Sequence, residues 1–391
     1  MKKLLLTAVA AMTVPSLAAA EVKIGVILGF TGPIESLTGP MADSSDVAFA
    51  EANASGIFLG GETVVGVRAD STCVDSAAAT AAAEGLVADG VAAIMGADCS
   101  GVTGAILANV AVPNGVVMIS PSATSPALTT APDDGLFFRT APTDARQGQI
   151  LADMVSERGV TEIAVTYTNN DYGKGLADSF QANFEALGGT VTISAAHEDG
   201  KADYSAEVAA LAAAGGEELA VFGYLDQGGK GIIQASIDTG AFDVFVMGDG
   251  MIGDSIAEAI GNDFNGSYGT VPGSTSDGAM MWINEVSGDV DGSAPFTAES
   301  YDAAALLVLA MQAAGSSDRD AIAAQVLNVS NGPGEKIYPG EVAKGLQILL
   351  DGGEIDYEGA SNVNLIGPGE AAGSYIYKVV DGGVFTDKEI R

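Results

Sequence analysis

The chain has 391 residues, 51 acidic against 16 basic side chains, and a formal net charge of −35. A surface this acidic repels nucleic acid and anionic lipid, so neither is expected as a partner, whereas an excess of solvated acids suits an exported protein in a salty medium. With 48% hydrophobic and 17% charged residues, the composition excludes disorder, and the length exceeds what one core usually organises, so two domains are expected.

Residues 1–20 read as a signal peptide. Lys2 and Lys3 precede an apolar run from Leu4 to Val14, Pro15 breaks it, and Ala18, Ala19 and Ala20 supply the small residues needed for cleavage between Ala20 and Glu21. The run is too short to span a bilayer, which takes roughly 20 residues, and no later stretch is long and uninterrupted enough. The mature protein is therefore expected outside the cytoplasm, without membrane insertion. No cysteine stands at the cleavage point, which argues against a lipid anchor. The two cysteines, Cys73 and Cys99, read as a disulfide in an oxidising compartment and cannot make a structural zinc site. Closing that loop contributes about 3 kcal/mol by chain entropy.

Strand-like and helix-like segments then alternate. Strands are expected at Val22 to Leu28, Thr63 to Asp70, Val91 to Met95 and Gly115 to Ser120, with helical spacing over 40–54, 75–88 and 101–109. The series restarts near Thr140-Ala141-Pro142. A helix over Asp144 to Arg158 leads to a strand at Glu162 to Tyr167, then to a helix carrying Tyr172, Leu176, Phe180 and Phe184 on one face. Strands at Thr190 to Ala196, Glu218 to Tyr224 and Val244 to Met247 alternate with helices at Tyr204 to Ala214 and Gly228 to Asp238. A second change near Val271-Pro272-Gly273 precedes helices at Ala298 to Ala314 and Asp318 to Leu327, and a late strand at Tyr375 to Val380. This pattern implies an α/β protein with two Rossmann-like lobes, each a parallel sheet flanked by helices, around a cleft. Ligands in such sheets sit beyond the strand carboxyl ends, which selects 30–38, 97–103, 120–124, 168–172, 225–229 and 248–253.

Catalytic constellations are scarce. His197 is the single histidine, and beside Glu198 and Asp199 it reads as a surface residue rather than a base. No nucleophile elbow, zinc-protease helix or phosphate-binding loop occurs, so no enzyme activity, cofactor or metal is expected. The run Gly248-Asp249-Gly250-Met251-Ile252-Gly253 matches a dinucleotide fingerprint, but Asp249 would face a pyrophosphate with like charge, so its content is a carboxylate at a strand end. Ser100, after one strand, and the Ser120-Pro121-Ser122-Ala123-Thr124 loop after another offer hydroxyls and amides to an anion; helix capping and turn chemistry account for them equally well locally. Asp249 with the Tyr172 phenol suits an ammonium. A cleft offering both ends is what an α-amino acid requires, because a buried zwitterion needs both charges paired.

In their order and spacing, several segments resemble the periplasmic Leu/Ile/Val-binding proteins of ABC transporters, the type I periplasmic binding fold. They are VKIGVILGFTGP at the mature start, CSGVTGA at 99–105, ISPSATSPALT at 119–129, FRTAPTDARQG at 138–148, NDYGKG at 170–175, VMGDG at 246–250 and ESYDAA at 299–304. The resemblance implies that Ser100, Ser122, Ala123 and Thr124 form the carboxylate side of the site, Tyr172 and Asp249 the ammonium side, and that Tyr224 lies at a strand end facing the ligand. It places the family's disulfide on Cys73 and Cys99. Leu37-Thr38 stand where that family often has an aromatic, so a branched aliphatic ligand leads without excluding others. Asp249 is one methylene shorter than the family's glutamate. The implied organisation is an N-terminal lobe of 21–141 plus 273–365 and a C-terminal lobe of 142–272 plus 366–391, with hinges at 141–143, 271–274 and 365–374. The implied function is a monomeric periplasmic binding protein that hands a small amino acid to an inner-membrane ABC permease. Alternatives are the same fold holding a short amide, urea or aromatic acid, or signalling to a membrane receptor.

Overall fold

The computed structural model describes residues 20–391; apart from Ala20, the expected signal peptide lies outside the described residues. Two lobes each carry a seven-stranded sheet. In the first, β1 (Glu21–Leu28), β2 (Thr63–Asp70), β3 (Ala93–Gly96), β4 (Val117–Ser120) and β5 (Phe137–Arg139) pair in parallel. The second repeats the plan with β6 (Glu162–Thr168), β7 (Thr190–His197), β8 (Glu218–Phe222), β9 (Phe245–Met247) and β10 (Tyr268–Pro272). The central strands β3, β4, β8 and β9 are buried along their whole length, which is why they read as unbroken apolar runs rather than alternating ones.

The chain then returns to the first lobe. The Thr297–Ala314 helix is buried from Glu299 through Gln312, as its apolar run from Ala303 to Met311 demands, and packs against the Glu35–Ser55 and Arg319–Ser330 helices. Two short strands, β11 (Glu335–Ile337) and β12 (Ile355–Tyr357), form a separate parallel pair. They are followed by β13 (Leu365–Ile366), β14 (Glu370–Ala371), β15 (Tyr375–Asp381) and β16 (Val384–Ile390). The sheet orders are β13-β14-β5-β4-β3-β1-β2 and β16-β15-β10-β9-β8-β6-β7, one strand order used twice, although β14 joins β5 in parallel and β15 joins β10 antiparallel.

Some expectations shift. Residues 366–371, assigned from sequence to the C-terminal lobe, belong to the first sheet: β13 and β14 form a hairpin through Gly367 and Gly369, both at positive φ, and Glu370 pairs with Arg139. The first helix starts at Glu35 rather than at 40, with Pro40 inside it; the missing proline N–H leaves only one first-turn carbonyl unbonded. The helix expected at 101–109 runs from Ser100 through a π turn at Leu107–Ala111 to Asn114. Cys73 and Cys99 are disulfide-bonded with Cα atoms 5.2 Å apart, tying the end of β2 to the end of β3.

Three segments run between the lobes side by side. The Gly273 amide donates to the Ser374 carbonyl at 3.0 Å and the Ser374 hydroxyl returns a bond to Gly273 O at 2.7 Å. The Tyr375 phenol donates to Thr143 O at 3.2 Å.

Candidate functional site

The strand order reverses beside β1 in one sheet and beside β6 in the other, and the carboxyl ends at these switch points meet across a narrow cleft whose lining encloses about 310 Å³ of non-atom space, part of it open to solvent. Asp98, Cys99 and Ser100 after β3, and Ser122 after β4, form one wall; Tyr172, Tyr224, Asp249 and Gly250 form the opposite one; Ile34, Leu37 and Phe296 add apolar surface.

The first wall is held by a buried polar frame. Asp98 accepts from the Gly29 amide at 2.6 Å, the Ser71 hydroxyl at 3.0 Å and the Cys99 amide at 2.9 Å, joining the ends of three strands. The Ser122 hydroxyl donates to Asp98 O at 3.1 Å. Arg139, fully buried at the end of β5, donates to the carbonyls of Ala123 at 3.0 Å and Ser125 at 2.9 Å, to the Thr129 hydroxyl at 2.8 Å, and pairs with Glu370. One guanidinium therefore fixes the loop that follows β4, using the planar fork that suits Arg to such sites. Cys99, not Ser100, is the N-cap residue of the helix that begins here, and no side chain caps it. The Ser100 hydroxyl accepts from the Ser125 amide at 3.1 Å, which leaves its own proton free to donate into the cavity.

The second wall is aromatic and acidic. Tyr172 lies in the first turn of the Asp171–Ala186 helix, whose N-cap Asn170 accepts from the Gly173 amide at 3.0 Å and donates to the Tyr224 phenol at 3.3 Å. The Tyr172 and Tyr224 rings stack with centroids 5.2 Å apart. The Tyr172 phenol donates to Asp249 Oδ1 at 2.7 Å, and Oδ1 also accepts the Gly250 amide at 2.9 Å. Oδ2 of Asp249 has no partner among the described residues. Burial raises the Asp249 carboxyl to about 6, against the lowering pull of the Tyr172 phenol and the Gly250 amide. Burial, then the charges of Asp249 and Asp144, push the Tyr172 phenol well above its ordinary range, so it serves as a neutral donor.

Of the sequence-derived site residues, Ser100, Ser122, Tyr172, Tyr224 and Asp249 line the cavity. Ala123 and Thr124 are fully buried and do not line it; the Ala123 amide donates to Ser120 Oγ at 2.9 Å. His197, expected at the surface, is buried at 1% exposure with Nδ1 2.9 Å from the Thr166 hydroxyl, its ring edge-on to Tyr204, and burial lowers its pKa to about 4. It ends β7, and the acids after it gave a misleading impression of exposure. The sequence reading included Asp98 within 97–103 and Arg139 within the 138–148 segment but gave neither a role; the signal available was a charged residue closing an otherwise apolar strand segment.

At the rim the lobes touch. Asp226 accepts from the Ser36 amide at 2.9 Å and the Ser255 hydroxyl at 2.5 Å, and its own amide donates to Pro33 O at 3.0 Å.

A family model described as "Periplasmic binding protein" matches residues 21–335. The chain is similar to the Leu/Ile/Val-binding protein BraC3 of Rhizobium johnstonii, at 30% identity over 83% of this chain and 88% of that protein. It is also similar to the chemotactic signal transduction system substrate-binding protein BasB of Halobacterium salinarum, at 28% identity over 95% of this chain and 90% of that one. Among solved structures, the leucine binding protein LivK of Thermotoga maritima superposes with a TM-score of 0.79 at 25% identity, covering 94% of this chain and 98% of that one.

Proposed function

The chain belongs to the periplasmic binding protein family, and on that premise we propose that it is the periplasmic solute-binding component of an ABC importer, holding a small α-amino acid between its lobes for an inner-membrane permease. The family is one of binding proteins, and the reading needs no catalytic group. The observation that carries it is the polarity of the cavity: the Ser100 hydroxyl is free to donate on one wall, and an unpartnered Asp249 oxygen waits on the other. A carboxylate and an ammonium on one carbon satisfy both. Ile34, Leu37 and Phe296 supply apolar surface for an aliphatic side chain, and the names of BraC3 and LivK support leucine, isoleucine and valine as first candidates. Ligand closes the lobes by bending at the crossing segments 141–143, 271–274 and the end of 365–374, after β14 has joined the first sheet.

The test is a thermal-shift screen of the mature protein against common amino acids, urea, short amides and benzoate. Ligand at a thousandfold excess over Kd adds about 4 kcal/mol to native stability. A shift confined to branched-chain amino acids is expected; a shift only with amides or aromatic acids would remove the roles given to Asp249 and Tyr172. The likeness to BasB along 95% of the chain favours one second reading, in which the liganded protein signals to a membrane receptor. Capture of a receptor rather than a permease from membranes, dependent on ligand, would select it.

A further inference from the structure

Beside Asp249 lies a second acid. Asp144 is the first residue of the Asp144–Glu157 helix, is fully buried, and donates its amide to the Thr124 carbonyl at 2.9 Å. Neither of its carboxylate oxygens has a hydrogen-bond partner among the described residues, and the same holds for Asp249 Oδ2. Two buried carboxylates thus present three bare oxygens. The Thr124 hydroxyl beside Asp144 and the Gln147 amide beside Asp249 lower the two carboxyls, but burial outweighs them. Arg139 on β5 is the cation that acts on Asp144, and its guanidinium is already engaged by Glu370 and by the loop after β4. Glu299 on the Thr297–Ala314 helix adds a third acid, and Tyr172 and Tyr375 contribute neutral phenols. Buried like charges without a cation do not both stay ionised.

We propose that Asp144 and Asp249 act as one acidic unit that keeps a proton while the cleft is empty and loses it to solvent when the ligand's ammonium arrives, so that capture of an amino acid is coupled to proton release. The proposal rests on the amino-acid reading above. Burial first, and then the neighbouring Asp249 charge, hold the Asp144 carboxyl well above the ordinary carboxylate range, while Asp249 stands at about 6. An ammonium against the pair favours the charged forms and lowers both. Asp144 is a positioning residue: it sets the charge of the unit through Asp249.

The experiment is calorimetric titration of the mature protein with leucine at pH 5.5 to 8, in buffers of different ionisation enthalpy. The expected result is a buffer-dependent heat that reports proton release, with affinity rising by up to about tenfold per pH unit in the range where one full proton is lost. Asp144→Asn should still bind leucine, with proton release and the pH slope of affinity much reduced. Leucine binding whose heat is the same in every buffer would overturn the proposal without touching the amino-acid reading, and needs no variant. Undiminished release from a folded Asp144→Asn would also overturn it. Absence of binding by leucine, isoleucine and valine alike would sink the functional reading, and this one with it.

Discussion

In the first lobe the strand ends carry serines and main-chain groups braced by Asp98 and Arg139, whereas in the second lobe the same strand order carries stacked tyrosines and a carboxylate. Topology fixes where a ligand sits in such sheets, and the loops decide what chemistry it meets. Using one plan twice with opposite polarity gives a cleft a direction. On the amino-acid reading, a zwitterion would enter it one way round.

The largest expected effect breaks the first wall. Arg139→Met leaves Glu370 and two loop carbonyls without their donor and should cost about 3–5 kcal/mol of stability, as removal of one partner of a buried ion pair does. Urea denaturation measures it, and a loss confined to amides near 122–130 in hydrogen exchange would localise it. The matching change in the second wall, Asp249→Ala, should weaken leucine binding by about 2–5 kcal/mol with little change in fold; unchanged affinity in calorimetry would take Asp249 out of the site. The lobes should also respond to pH with opposite sign. His197, in the second lobe, titrates at about 4 folded against about 6.5 unfolded. The unfolded chain therefore takes the proton first, and stability falls by a few kcal/mol as pH drops from about 6.5 towards 4. Glu299, in the first lobe, is raised by burial from 4.5 to about 8. The folded chain keeps that proton longer, and stability falls as pH rises through the interval between those values. Denaturation midpoints of His197→Gln and Glu299→Gln should flatten the acid and alkaline limbs respectively. The smallest effect is Ser100→Ala, which removes one donor and should weaken leucine binding by about 1 kcal/mol.

Much of this fold is legible in the sequence because its strands are short apolar runs and several of its helices, such as Asp144–Glu157 and Asp171–Ala186, are amphipathic. The segment Thr63–Asp70 and the helix from Asp144 follow directly from such patterns. The misses have physical causes. The strand β16 carries Asp387, Lys388 and Glu389 on an edge, where alternation has no buried face to mark it. Residues 366–371 join the first sheet through an ion pair between Arg139 and Glu370, 231 positions apart, a contact no local pattern encodes. At the site, Asp249 stands at a strand end where the pattern points. Asp144 was passed over because an acid opening a helix is ordinary; its burial beside Asp249 exists only once the second lobe has packed.

The Asp226 contacts at the rim involve neither wall of the cavity, yet they join Ser36 and Pro33 of one lobe to Asp226 and Ser255 of the other. If the lobes part as proposed, these bonds must break first, so on that reading they would lengthen the dwell time of a bound molecule irrespective of its identity. On the proposed reading, selectivity and residence would then be adjustable separately: substitution at Leu37 or Phe296 would retune what is bound and leave the release rate set at Asp226 unchanged.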